Sequence, residues 1–173
     1  MAQQAPNDVI CRYLEDAIAA EDTFEKQLRQ FAGEVEQPQL RQLFEQHAEE
    51  TMQQKRMLTD RLQALGGKPS GMKSFMANMF GFGPKAAQMG HDDAEKGTQD
   101  LMMAYAVENS EVAMYEALAI AAAAAGDLET ERLARSIQDE ERSTAQKVWD
   151  QLAPCARRSF EKVTGGMSMR QAA

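Results

Sequence analysis

Cysteine is nearly missing from this 173-residue chain, with Cys11 and Cys155 alone and near opposite ends. Two thiols so placed exclude a disulfide scaffold, and no close Cys/Cys or Cys/His spacing suggests a zinc site. Histidine is equally scarce, with only His47 and His91. Catalysis by a Ser/His/Asp or Cys/His group would have to be built from very few parts. Positive charge is short as well: 19 Lys and Arg stand against 27 Asp and Glu, for a net charge of -8. That balance argues against a nucleic-acid binder and against attachment to an anionic membrane. No apolar run approaches the roughly 20 residues that span a bilayer, and the longest candidate, residues 117–125, is mostly alanine. The N-terminus has the features of neither a signal nor a transit peptide, so a cytoplasmic location is expected. What is plentiful is methionine (12 residues), Ala, Gln and Glu, with only five prolines. That is the composition of an all-α protein.

Apolar residues spaced three and four apart predict four long helices. The first runs over about residues 8–31, with Ile10, Leu14, Ile18, Phe24, Leu28 and Phe31 on one stripe and Gly33 placed to end it. Pro38 suits the first turn of a second helix, which stops at Gly66-Gly67. A third covers about residues 92–125 and ends at Gly126. Asp127 opens a fourth, which carries Leu133, Ile137, Val148 and Leu152 and is expected to stop near Pro154. Residues 8–153 would form the bundle. Residues 66–91, rich in glycine and with an apolar patch at Phe75, Met76, Met79, Phe80 and Phe82, read as a long crossover with short helices and a dimer contact. Residues 154–173 read as a short C-terminal extension and mobile tail.

Each stripe is broken near its middle by ionisable residues: Glu21 on the first helix, His47 and Glu50 on the second, Glu108 and Glu111 on the third, Glu140 with Glu141 beside it on the fourth. Buried singly, each would cost free energy. Glu21 and Glu50 lie 14 and 15 residues from the first turn, and Glu111 and Glu140 lie 15 and 14 from the second. At about 1.5 Å per residue all four sit roughly 21 to 23 Å from their turns, in one layer. The halves also repeat at an offset of 90, pairing Glu21 with Glu111, Glu50 with Glu140, Leu28 with Leu118 and Leu43 with Leu133. Two helical hairpins facing each other would bury one core.

Clustered carboxylates repel one another and raise each other's pKa unless a counter-charge is present. Two divalent cations remove the conflict. An oxygen-rich set with one imidazole suits iron or manganese better than structural zinc. Residues three apart on a helix point the same way, so His47 with Glu50, and Glu108 with Glu111, can each supply two ligands. The expected ligands are Glu21, His47, Glu50, Glu108, Glu111 and Glu140, with Glu141 the alternative on the fourth helix. Tyr105 and Tyr115 flank the layer as core aromatics, and Tyr115 could carry a radical or orient a ligand carboxylate. His91 reads as a capping or surface residue.

Four stretches carry a resemblance: Ala20-Glu21, residues 44–51 (FEQHAEET), residues 108–115 (ENSEVAMY) and residues 139–142 (DEER), together with the LGGKP step at 65–69. In these the chain resembles the ferritin-like superfamily of dimetal-carboxylate four-helix bundles, and more closely the YciE/YciF-type family of small bacterial stress-associated proteins. The superfamily pattern takes a Glu from two helices and Glu-x-x-His from each of the others. Here the second helix reads His-x-x-Glu, the third Glu-x-x-Glu, and the fourth has no histidine. The resemblance implies a ferritin-like bundle and a stress-related role. With the residue reading it leads to an expected dinuclear iron or manganese site handling dioxygen or peroxide, in a homodimer. The alternative expectation is a metal-stapled or metal-free bundle serving as a structural or interaction protein.

Overall fold

The computed structural model of the chain describes residues 5–68 and 90–166. Four long helices fill most of them: α1 (Pro6–Glu34), α2 (Pro38–Ala64), α3 (Lys96–Ala125) and α4 (Leu128–Val163). A 3-10 turn, Asp93–Glu95, leads into α3, and no strand occurs among the described residues.

Local chemistry explains most of the helix ends. Proline starts both α1 and α2, where its missing N–H costs nothing. Asp92 and Glu95 form a capping box: the Asp92 carboxylate accepts from the Ala94 N–H at 2.9 Å, and Glu95 accepts from the Asp92 N–H at 2.8 Å. His91 lies on the surface beside Glu95. Gly126 ends α3 at φ 76°, a left-handed conformation that glycine adopts without steric cost. Asp127 then caps α4, accepting from the Thr130 N–H at 3.0 Å.

Two ends differ from expectation. Gly33 lies inside the last turn of α1. The helix stops at Val35, whose side chain is buried in the core and whose backbone is extended. Helix α4 does not stop near Pro154 but runs through it to Val163. Beyond the proline, Cys155 and Ser159 pack against the start of α3. Thr98 Oγ1 shares a hydrogen bond with Ser159 Oγ at 2.9 Å. Gly97 lies at this contact: a Cβ there would meet Cys155 Sγ at 3.6 Å, an ordinary contact, and Gln37 Oε1 more tightly at 3.3 Å. Tertiary packing thus offsets the backbone hydrogen bond that proline removes.

The core consists of two apolar clusters. One gathers Phe24, Leu28 and Phe31 of α1, Phe44 of α2, Leu101 of α3, and Val148 and Cys155 of α4. The other gathers Ile10 and Leu14 of α1, Leu58 and Leu62 of α2, Leu118 of α3 and Ile137 of α4. Each such fully buried aliphatic or aromatic side chain contributes about 1.5–3 kcal/mol. The first cluster takes the N-terminal halves of both α2 and α3, so these helices are parallel. Leu65 lies at one end of the bundle and Gly97 at the other, so the connection between α2 and α3 links opposite ends. Cys11 and Cys155 fall in different clusters and are free thiols. The apolar patch at residues 75–82 and the tail at residues 167–173 lie outside the described residues.

Candidate metal centre

Between the two clusters the inner faces turn polar. Glu21 of α1, His47 of α2, Glu108 and Glu111 of α3 and Glu141 of α4 are all buried to within 2% exposure. Each occupies the helical stripe that is apolar above and below it: Ala17, Glu21, Phe24, Leu28 on α1, and Ile137, Glu141, Thr144, Val148 on α4. Four carboxylates and the imidazole thus share one depth, while a fifth buried carboxylate, Asp100, lies two turns away near the start of α3.

The outcome on α4 corrects the expectation drawn from the 90-residue repeat. Glu141 points inward and Glu140 is exposed, its Oε2 accepting from Gln54 Nε2 at 3.1 Å. The reason is helix pitch. Ile137, Glu141, Thr144 and Val148 follow one another by four, three and four residues, and residue 140 lies a full 100° step off that line. Its repeat mate Glu50 is displaced in the same way. Glu50 stands at the rim with its side chain 35% exposed, accepting from Gln46 Nε2 at 2.9 Å and lying 3.9 Å from Lys147 Nζ. The inner mates on that turn are Thr51 and Glu141.

The buried atoms are poorly satisfied by one another. His47 Nε2 lies 2.7 Å from Glu108 Oε1, yet neither has a hydrogen-bond partner among the described residues. Glu21 Oε2, the second oxygen of Glu108, Glu111 Oε1 and Glu141 Oε1 are likewise buried and unpartnered. Ligand atoms of His47, Glu108 and Glu141 all fall within 4.8 Å of one another. An unmet buried polar atom costs about 1–3 kcal/mol, so several facing one another call for a shared partner. A cation supplies one, and the donor set of carboxylate oxygens and one imidazole suits it.

Electrostatics point the same way. Burial, then the charges of Glu21 and Glu50, push Glu108 up to about 8. Burial followed by neighbouring carboxylates raises Glu21, Glu111 and Glu141 well above the ordinary range. Burial lowers His47 to about 4, outweighing the pull of Glu141 and Glu50. The imidazole is thus neutral near pH 7 and has a lone pair to offer. Phe24 meets the His47 ring edge to face at 5.2 Å and fixes its plane.

Tyr115 is fully buried and donates its hydroxyl to Glu21 Oε1, holding that carboxylate with its other oxygen free. Tyr105, by contrast, is half-buried and packs on Trp149. Gln54 escaped the sequence reading. It is buried one helical turn beyond Thr51, donates to Glu140 and leaves its own Oε1 unpartnered. A signal existed, since Gln54 and Thr144 are repeat mates and both are polar residues on otherwise apolar stripes.

The fold is similar to several solved structures. A protein from Xanthomonas campestris aligns with a TM-score of 0.78 at 25% identity, covering 93% of this chain and 99% of that one. The Escherichia coli stress protein YciF aligns at 0.78 and 22% identity, covering 90% and 99%. A Dps protein from Vibrio cholerae, described as a member of a broad superfamily of ferritin-like diiron-carboxylate proteins, aligns at 0.60 and 15%, covering 88% and 99%. No curated protein sequence matches the chain. The all-helical architecture is accordingly the ferritin-like four-helix bundle. A family model described as "Domain of unknown function (DUF892)" matches residues 5–160, and the chain belongs to that family.

Proposed function

We propose that this bundle is a dimetal-carboxylate protein that binds two iron or manganese ions and uses them in oxidoreductase or metal-handling chemistry with dioxygen or peroxide, in a stress response. The observation that carries the reading is the group of buried, unpartnered ligand atoms on His47, Glu108 and Glu141, with Glu21 and Glu111 beside them. The four carboxylates of this layer carry four negative charges when ionised, and two divalent ions cancel them.

Glu21, His47, Glu108, Glu111 and Glu141 would hold the ions, with Glu50 as the ligand at the rim. Bound iron or manganese would supply one-electron redox steps. The protein's own contribution is positional. Tyr115 fixes Glu21 through its hydroxyl and so sets which oxygen remains free to coordinate. Phe24 holds the His47 ring, and the apolar clusters above and below exclude water. The exclusion strengthens every electrostatic interaction in the layer.

The test is ferrous ion added without oxygen to metal-free protein, followed by dioxygen or hydrogen peroxide. Oxidation faster than the buffer control, and its loss in Glu108→Ala, is the expected result. A rate equal to the control would remove the redox part of the reading.

A further inference from the structure

Past the carboxylate layer, the outer face of α4 carries a second pattern that the bundle does not use. Trp149, Ala153, Ala156, Phe160 and Val163 follow one another by four, three, four and three residues, and all are exposed. Trp149 and Phe160 are 53% and 51% exposed, large for residues of their size. Alternation of three and four along one face is the spacing of a coiled-coil seam. The seam straddles Pro154, so it exists only because α4 continues through the proline. Beside it, Glu95, Thr98 and Gln99 of the α3 start, with Ala156, Phe160 and Val163, line a groove of about 170 Å³.

We propose that this face is the contact between two copies of the chain, with their α4 helices packed antiparallel about a two-fold axis near Ala153 and Ala156. The residue order favours a second copy. In an antiparallel seam of this register, Ala153 of one protomer meets Ala156 of the other twice, and the small side chains let the helices come close. Trp149 then lies opposite Phe160 on both sides and projects toward the groove beside Ala156. The residue flanking the seam after Trp149 is Asp150, and the one flanking it after Ala156 is Arg157; both are exposed. The same register brings Asp150 of each copy to Arg157 of the other, giving two opposite-charge pairs. A two-fold axis requires such self-complementarity of a single patch. Tyr105, packed on Trp149 at 5.1 Å, braces the aromatic in place.

The experiment is sedimentation velocity on the full chain at micromolar concentration, with circular dichroism to confirm helicity. The wild type is expected at the dimer mass, and Ala156→Glu at the monomer mass with helicity unchanged. Asp150→Arg and Arg157→Asp singly place like charges together and should each weaken the dimer at least tenfold; the double variant should regain most of the affinity. A monomeric wild type overturns the proposal, as does a dimer that Ala156→Glu leaves intact. If Ala156→Glu loses helicity, the charge-swap series decides alone, and failure of the double variant to recover overturns the antiparallel register. None of these outcomes depends on metal binding.

Discussion

The two hairpins are alike in which positions they bury and unlike in what they place there. Adding 90 to the buried positions Leu40, Phe44, His47, Ala48, Thr51, Gln54 and Leu58 of α2 gives Thr130, Ala134, Ile137, Gln138, Glu141, Thr144 and Val148 of α4, all buried, and only Leu62 has a mate, Leu152, that is partly exposed. The chemistry does not repeat. His47 is matched by Ile137, and Glu141 by Thr51. On α1 and α3, Glu21 and Glu111 do match, while Glu108 is matched by Ile18. In the layer around His47 the second hairpin therefore gives three carboxylates, and the first gives one plus the imidazole. Repetition fixes the face and the depth; substitution within each copy makes the site asymmetric.

The sharpest way to break this contrast is to compare Glu140 with Glu141. Glu141→Gln should remove at least one of about two bound ions per chain, whereas Glu140→Gln should leave the metal content unchanged, both read by elemental analysis. Equal loss from the two variants would mean that the buried and exposed members of the pair are interchangeable, contrary to the helix geometry. Metal removal should show next: with free ion at about 100 times its Kd, the loaded fold gains about 2.7 kcal/mol per occupied site over the chelated one, measured by thermal unfolding.

The metal-free protein should also betray its asymmetry through pH. Glu108 keeps its proton in the fold up to about 8 against an ordinary 4.5. Its contribution to stability is complete below the ordinary value and is lost as pH rises toward 8. His47, lowered to about 4 from 6.5, acts in the opposite sense, and its contribution is lost as pH falls from 6.5 to 4. Between pH 6.5 and 8 the carboxyls act unopposed, so stability should fall by about 1.4 kcal/mol per unit for each such group. Glu108→Gln should flatten that slope in urea titrations.

A smaller effect separates interior from surface charge. Arg61 reaches from α2 to the start of α4, donating to Asp127 at 2.6 Å, Glu129 at 2.5 Å and Thr130 at 2.7 Å, and it is mostly buried. Arg61→Ala should cost about 1–3 kcal/mol, because Asp127 is left short of a partner. Arg29 pairs with Glu49 at 3.0 Å in the open, both about half exposed, and Arg29→Ala should change stability by less than about 1 kcal/mol.

Much of this was legible in the sequence because hydrophobic spacing and turn residues are local signals. Pro38, Gly126 and Asp127 mark ends that the structure keeps, and the parallel α2 and α3 agree with the long connection expected at residues 66–91. The inward positions of Glu21, Glu108, Glu111 and His47 were likewise readable from the stripes. Glu140 was not, because adjacent glutamates differ only in helical angle and the repeat aligned an exposed Glu140 with Glu50 at the rim. The passage of α4 through Pro154 was hidden for another reason. Beyond the proline the helix packs on Thr98, 57 residues from Cys155 in sequence, which no local pattern reports.

Anaerobic calorimetric titration of metal-free protein with manganous or ferrous ion tests the central idea most directly. About two ions per chain should bind, with protons released from the buried carboxyls and at least one ion lost in Glu141→Gln. No binding at neutral pH, with the carboxyls simply staying protonated, would contradict the account.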